Sequence, residues 1–199
     1  MRALGRRGIS SPAVRSALEA VPREGFLPEN QALSAYEDRA LPIGLGQTCS
    51  QPWMVAVIAQ ALDLGAGARV LEVGAGSGYL AAVLRAAGAA EVVALEIIPD
   101  LAARARDNLN RQRVRGVEVR LADGRRGAPD RAPFAAVVVS AATPEIPPAL
   151  LEQVAIDGCL VCPVVEGGEE RLWLWRRHEQ EWCRRDLGAC RFVPLLGEG

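Results

Sequence analysis

Short apolar runs of strand length take turns with longer stretches of helical period along most of this chain. Apolar runs over Arg69 to Val73, Glu91 to Glu96, Val117 to Leu121, Phe134 to Ser140 and Cys159 to Val165 predict strands. Between them the spacing predicts helices over Ser77 to Ala87, Pro99 to Arg113 and Pro147 to Val154. In the second of these Leu101, Ala102, Ala105 and Leu109 form one buried stripe, which leaves the arginines on a solvated face. Ahead of the first strand, a helix near Ser11 to Ala20 leads into an irregular segment through Ser50, and Pro52 opens a helix that runs to about Leu62. Strands that alternate with helices argue for a parallel sheet covered by helices on both faces. The end departs from this rule. Arg171 to Arg176 and Glu181 to Asp186, joined by a short polar turn, predict an antiparallel hairpin whose Trp173, Trp175 and Trp182 pack across strands. The expected class is therefore α/β: a three-layer, doubly wound, mostly parallel seven-stranded sheet with an antiparallel C-terminal hairpin. No repeat or linker divides the chain, so residues 1–199 are expected to form one domain.

The candidate chemistry begins where the first strand of this alternation ends. Val70-Leu71-Glu72-Val73-Gly74-Ala75-Gly76-Ser77-Gly78 runs from an apolar strand through alternate glycines into a helix. A chain that leaves a buried strand must turn sharply and let a ligand lie against its backbone, which side chains at Gly74, Gly76 and Gly78 would obstruct. The helix N-terminus that follows favours an anionic group. Glu96 lies about twenty residues on, where a carboxylate accepts from ribose hydroxyls. Packing alone could also place glycines here, and two cofactor classes share the layout. Dinucleotide dehydrogenases carry Gly-x-Gly-x-x-Gly without an acid two residues ahead; here Glu72 precedes Gly-x-Gly-x-Gly.

That arrangement resembles the first motif of class I S-adenosylmethionine (SAM) methyltransferases, which have a Rossmann-like fold. The resemblance places Glu72 near the methionine end of SAM, the glycine backbone beneath it and Glu96 on its ribose. Leu121-Ala122-Asp123-Gly124 stands where that family sets a residue against the adenine. Blocks outside these stations narrow the family further. They are Val21-Pro22-Arg23-Glu24-Gly25-Phe26-Leu27-Pro28, Ala35-Tyr36-Glu37-Asp38, Leu41 through Ser50, Ser140 through Pro147 and Arg191-Phe192-Val193-Pro194-Leu195. All closely resemble protein-L-isoaspartate O-methyltransferases, over roughly Val21 to Leu196.

The resemblance implies methylation of the free carboxylate of L-isoaspartyl residues in damaged proteins and peptides, with SAM as the cofactor and no metal. The methyl ester then closes to a succinimide, which starts repair. It implies Ser50 as the active residue and Gln47, Thr48, Glu72, Gly74, Gly76, Gly78, Glu96, Asp123 and Gly124 as the cofactor-binding set. Residues 1–50 then form a helical and loop extension that helps build the substrate pocket. Three departures from the family pattern bear on substrate fit and local structure: Trp53 where many members have histidine, Cys49 where the position is usually aliphatic, and Ala135 where aspartate is frequent. Other readings are a related enzyme acting on another carboxylate, a SAM-binding module without turnover, and a nicotinamide dehydrogenase. Ser50 could instead simply cap the helix after Pro52.

Composition removes other classes. The net charge is -1, with 23 basic and 24 acidic residues, so no global field draws the chain to nucleic acid or an anionic membrane. The N-terminus shows no apolar run after its charges and no later run reaches membrane-spanning length, so a cytoplasmic protein, acting as a monomer, is expected. The 5 cysteines are odd in number and scattered, against disulfides. Cys159-x-x-Cys162 falls inside an apolar strand, which favours packing over zinc or redox chemistry. His178, the single histidine, is expected in a surface turn.

Overall fold

A computed structural model of the chain describes residues 7–179 and 181–197. The first six positions, on which the reading of the N-terminus partly rests, lie outside the described residues, as do Gln180, Glu198 and Gly199. Helix α1, Pro12–Ala20, starts where the Ser11 hydroxyl accepts the Val14 amide and proline occupies the first turn. Next come 3-10 turns at Arg23–Phe26 and Glu29–Ser34, then two short antiparallel strands, β1 at Leu41–Gly44 and β2 at Gln47–Cys49. The sequence predicts an irregular segment here, and the two strands are the difference. Strands of four and three residues are too short for an alternation to register, and their turn depends on positive φ at Gly44, Leu45 and Gly46.

The alternation then proceeds as α2 (Pro52–Leu62), β3 (Arg69–Val73), α3 (Tyr79–Ala86), β4 (Glu91–Glu96), α4 (Pro99–Arg111), β5 (Val117–Leu121), β6 (Phe134–Val139), α5 (Pro148–Glu152), β7 (Val154–Glu166), β8 (Glu169–His178) and β9 (Glu181–Ala189). The last seven strands form one sheet in the order β5-β4-β3-β6-β7-β8-β9. Strands β3 to β7 are mutually parallel, and β8 and β9 return antiparallel. The expected class is the observed one. Helix α3 starts two residues later than expected, because Gly76 and Gly78 both take left-handed backbone. Helix α5 is short because Val154 already pairs with Phe134, which extends β7 backward beyond the expected Cys159.

The two faces of the sheet bury separate cores. Val70, Val92, Ala94, Val138 and Val161 face α1 to α4, whereas Leu71, Val73, Leu95, Val137, Val139 and Leu160 face α5, Ala128 and the tryptophans of β8 and β9. Period-2 alternation thus separates Cys159 from Cys162, one on each face, so they cannot share a metal. Among the described residues no cluster of acids, histidines and cysteines could hold a metal ion, and no helix is long and apolar enough to cross a membrane. Trp173 and Trp175, neighbours on one face of β8, pack with ring centroids 6.2 Å apart, a contact along one strand where packing across strands was expected, and both lie with Trp182 against the second core. His178 ends β8 at the surface, its ring nitrogen 3.6 Å from Asp157.

Candidate active site

The strand order reverses between β3 and β6, and there the carboxyl ends of the parallel strands leave a crevice. A cleft of about 770 Å³, counted to its open mouth, occupies it. Its wall gathers residues from distant parts of the chain: Gln47, Thr48 and Ser50 after β1; Glu72, Gly74 and Gly76 at the end of β3; Glu96 at the end of β4; Gly124 beyond β5; Ser140 beyond β6.

The first glycine loop is held from behind by β4. The amides of Gly74 and Ala75 donate to Leu95 O at 2.8 and 2.9 Å, and the Gly76 amide donates to Glu96 Oε2 at 2.8 Å. Gly74 and Gly76 have φ of +89° and +53°, which L side chains adopt only under strain. Gly78 is different. It stands at the head of α3 with φ +84°, outside the cleft wall, and a Cβ there would lie 3.2 Å from Leu109 Cγ. The third glycine therefore lets α3 approach α4, a packing role that spacing alone does not separate from a ligand role.

Glu72 and Glu96 are the acids of the cleft wall, which among the described residues holds no lysine, arginine or histidine. Glu72 is 1 % exposed in the central strand, and its Oε2 is buried without a hydrogen-bond partner. Burial first, and the neighbouring Glu96 carboxylate second, push its carboxyl well above the usual carboxylate range. An unpartnered buried oxygen of this kind is costly unless a ligand completes it. Glu96 also holds the Ile98 amide through Oε1 at 3.0 Å, so both its oxygens already anchor main chain. Ile97 and Ile98, together with Leu95 and Leu80, add an apolar lining that the motif reading did not single out.

Asp123 precedes the lining residue Gly124. Its carboxylate accepts the Arg125 amide at 3.0 Å and pairs with the Arg125 guanidinium at 2.9 Å, capping the turn Gly124–Arg126. That turn places Gly124 so close to the strand that an added Cβ would sit 2.3 Å from Val73 Cγ1. The cleft is covered from the C-terminus by Val193 to Leu196, also missed as site residues. This segment is pinned by Ala142, whose amide donates to Val193 O at 2.8 Å and whose carbonyl accepts the Leu195 amide at 2.7 Å. Its signal was a block of unassigned resemblance with no chemistry of its own.

Ser50 does not cap α2; Gln51 takes that position, with no side-chain capping bond. The Ser50 main chain is instead gripped by Arg23, which is completely buried. Its Nη2 donates to Ser50 O at 2.9 Å, Cys49 O at 3.1 Å and Arg39 O at 3.1 Å, and its Nη1 to Ala35 O at 2.7 Å. The Cys49 thiol is buried beside this network and its pKa is raised by that burial. Trp53 lies outside the cleft wall, its ring under the Arg7 guanidinium at 4.3 Å and its amide bonded to Asp38 Oδ1 at 3.0 Å. Ala135 is exposed on β6.

The model of the protein-L-isoaspartate(D-aspartate) O-methyltransferase family matches residues 1–199. Protein-L-isoaspartate O-methyltransferase 2 of Marinobacter nauticus is 50% identical over 194 residues, covering 96% of this chain and 88% of its own. The protein-L-isoaspartate O-methyltransferase of Methanoculleus marisnigri is 47% identical over 192 residues, covering 96% and 87%. Among solved structures, a protein-L-isoaspartate O-methyltransferase superposes with a TM-score of 0.89 at 26% identity, and this chain spans 98% of itself but 64% of that longer chain. One from Plasmodium falciparum, in complex with S-adenosyl-L-homocysteine, shares the fold with a TM-score of 0.84 at 24% identity, covering 98% of this chain and 95% of that one. On the match over its whole length, this chain belongs to the protein-L-isoaspartate(D-aspartate) O-methyltransferase family.

Proposed function

We propose that this chain transfers a methyl group from SAM to the free carboxylate of L-isoaspartyl residues in damaged proteins and peptides. The observation that carries this reading is the juxtaposition of a cleft whose charged side chains, among the described residues, are both acidic with the hydroxyl-bearing Thr48 to Ser50 segment on one wall. The donor set suits SAM. Its positive charge meets Glu72 and Glu96 with no competing cation among the described residues of the wall, and the orphaned Glu72 oxygen offers an acceptor for its ammonium.

When bound, SAM supplies an electrophilic methyl group on a sulfonium. Glu72 would hold the methionyl end, the Gly74 and Gly76 backbone would pass beneath the cofactor, and Glu96 would take the ribose from the end of β4. Ile97, Ile98 and Gly124 would flank the base, with Asp123 acting through the turn that holds Gly124, and Gly78 through the packing of α3 on α4. Gln47 and Thr48 would complete the cofactor pocket, and Ser50 would face the acceptor. The acceptor carboxylate is already anionic, so no general base is needed. Ser50 orients it by hydrogen bonding without neutralising it. Alignment of two reactants supplies about 7 to 11 kcal/mol of the barrier, and the cover from Val193 to Leu196 excludes water that would solvate the carboxylate.

This reading includes a single catalytic domain acting as a cytoplasmic monomer on polypeptide substrates, with neither nucleic acid nor membrane as a partner. The near-neutral net charge of -1 argues against nucleic acid or an anionic membrane as a partner. The test is transfer of labelled methyl from SAM to a synthetic isoaspartyl peptide and to its aspartyl twin. Base-labile ester on the isoaspartyl peptide alone is expected; no transfer to either, with SAM still bound, would overturn the reading.

A further inference from the structure

Arg23 is a buried cation for which the reading above has no use. It ranks among the largest fully buried side chains, yet no carboxylate forms an ion pair with it among the described residues. Among the described residues its hydrogen bonds run to main-chain carbonyls of two segments, residues 35–39 on one side and Cys49 and Ser50 on the other. Its Nε is buried with no partner. A planar fork of donors is the one side chain that can serve such divergent acceptors together; an ammonium is a point donor on a flexible stem. The guanidinium carbon also lies 6.0 Å from the ring centroid of Tyr79, which itself lines the cleft and packs on Phe26 at 5.6 Å. Arg23 thus touches the cleft wall twice from behind and enters it nowhere.

We propose, resting on the isoaspartyl reading, that Arg23 is a positioning residue for the acceptor carboxylate, acting through the Cys49-Ser50 main chain that presents the Ser50 hydroxyl. Two physical consequences follow from its placement. The bonds at 2.9 and 3.1 Å fix the carbonyls of Ser50 and Cys49 where β2 passes into α2, which sets the direction of the Ser50 side chain. The charge, shielded from direct contact by those carbonyls, attracts an anionic acceptor without pairing with it. The cofactor end of the cleft hangs from β3 and β4 and has no bond to Arg23, so the two ends should separate in experiment.

The test is a double-mutant cycle with Arg23→Lys and Ser50→Ala, read as kcat and KM for isoaspartyl peptide, beside calorimetric affinity for S-adenosylhomocysteine and the thermal midpoint. Arg23→Lys is expected to lower kcat/KM for peptide by 10-fold or more with cofactor affinity within 3-fold. In the Ser50→Ala background the same substitution should cost little, because the group it positions is gone. Arg23→Gln, which keeps planar amide donors but no charge, separates the two consequences: recovery of kcat with a raised peptide KM is expected. Independent, multiplying losses, or a fall in cofactor affinity parallel to that in activity, would overturn the proposal and leave Arg23 a structural staple. A parent protein that methylates no isoaspartyl peptide would overturn the functional reading as well, which the parent's own assay distinguishes.

Discussion

The Gly76 amide donates to Glu96 Oε2 at 2.8 Å, so the acid that closes β4 is bonded to the glycine loop that follows β3. One carboxylate therefore both shapes the loop and faces the cofactor cleft. Glu96→Gln keeps the shape but turns an amide nitrogen toward one of the two backbone donors. Stability should fall by about 1 to 3 kcal/mol, the cost of leaving a buried amide unpaired, and affinity for S-adenosylhomocysteine by about tenfold or more. Chemical denaturation and calorimetric titration measure these separately. A loss of stability with unchanged affinity would confine Glu96 to holding the loop.

Glu72 makes the stability of the cofactor-free protein depend on pH. Its carboxyl is held well above 4.5 by burial and by Glu96. Above the unfolded value the unfolded chain releases a proton that the folded protein keeps. Stability is therefore full below that value and is lost as pH rises toward the folded value. Denaturant midpoints should decline from about pH 5 upward in the parent and lose that component in Glu72→Gln. A bound cation favours the ionised form, so SAM affinity should strengthen over the same window in the parent only. Flat profiles in the parent would show that Glu72 ionises without penalty.

Two glycines of one motif should respond differently. Both Gly76 and Gly78 have positive φ, so alanine at either is strained by about 1 to 3 kcal/mol. At Gly78 the new methyl also presses on Leu109 at 3.2 Å, whereas at Gly76 the nearest atom, Ile43 Cδ1, is 3.5 Å away. Gly78→Ala should lower the thermal midpoint more, and Gly76→Ala should lower cofactor affinity more. The reverse order would mean that α3 moves and that Gly78, not Gly76, borders the ligand.

Ser50→Ala separates chemistry from folding with little ambiguity, because Ser50 does not cap α2. Stability should change by no more than about 0.5 kcal/mol. Methyl transfer to isoaspartyl peptide should fall by about two orders of magnitude, as for one oriented hydrogen bond in a water-excluded site. Retained transfer would reduce Ser50 to a lining residue.

Alternation of apolar runs with helical periods determined the order of strands and helices from Pro52 onward, because burial of each element on a common sheet imposes a local period that a sequence displays. The glycine motif and Glu96 were legible for a related reason: a tight turn after one strand and an acid closing the next stand at a fixed spacing along the chain. Only the tertiary structure decided what these residues do to one another. It set Gly78 against Leu109, turned Asp123 inward to cap the turn before Arg126, and folded Val193 to Leu196 over the cleft. It also buried Arg23 among carbonyls twelve to twenty-seven positions away. Such convergence leaves no periodic trace, since a main-chain carbonyl is present at every residue and nothing in the sequence marks which ones an arginine will meet.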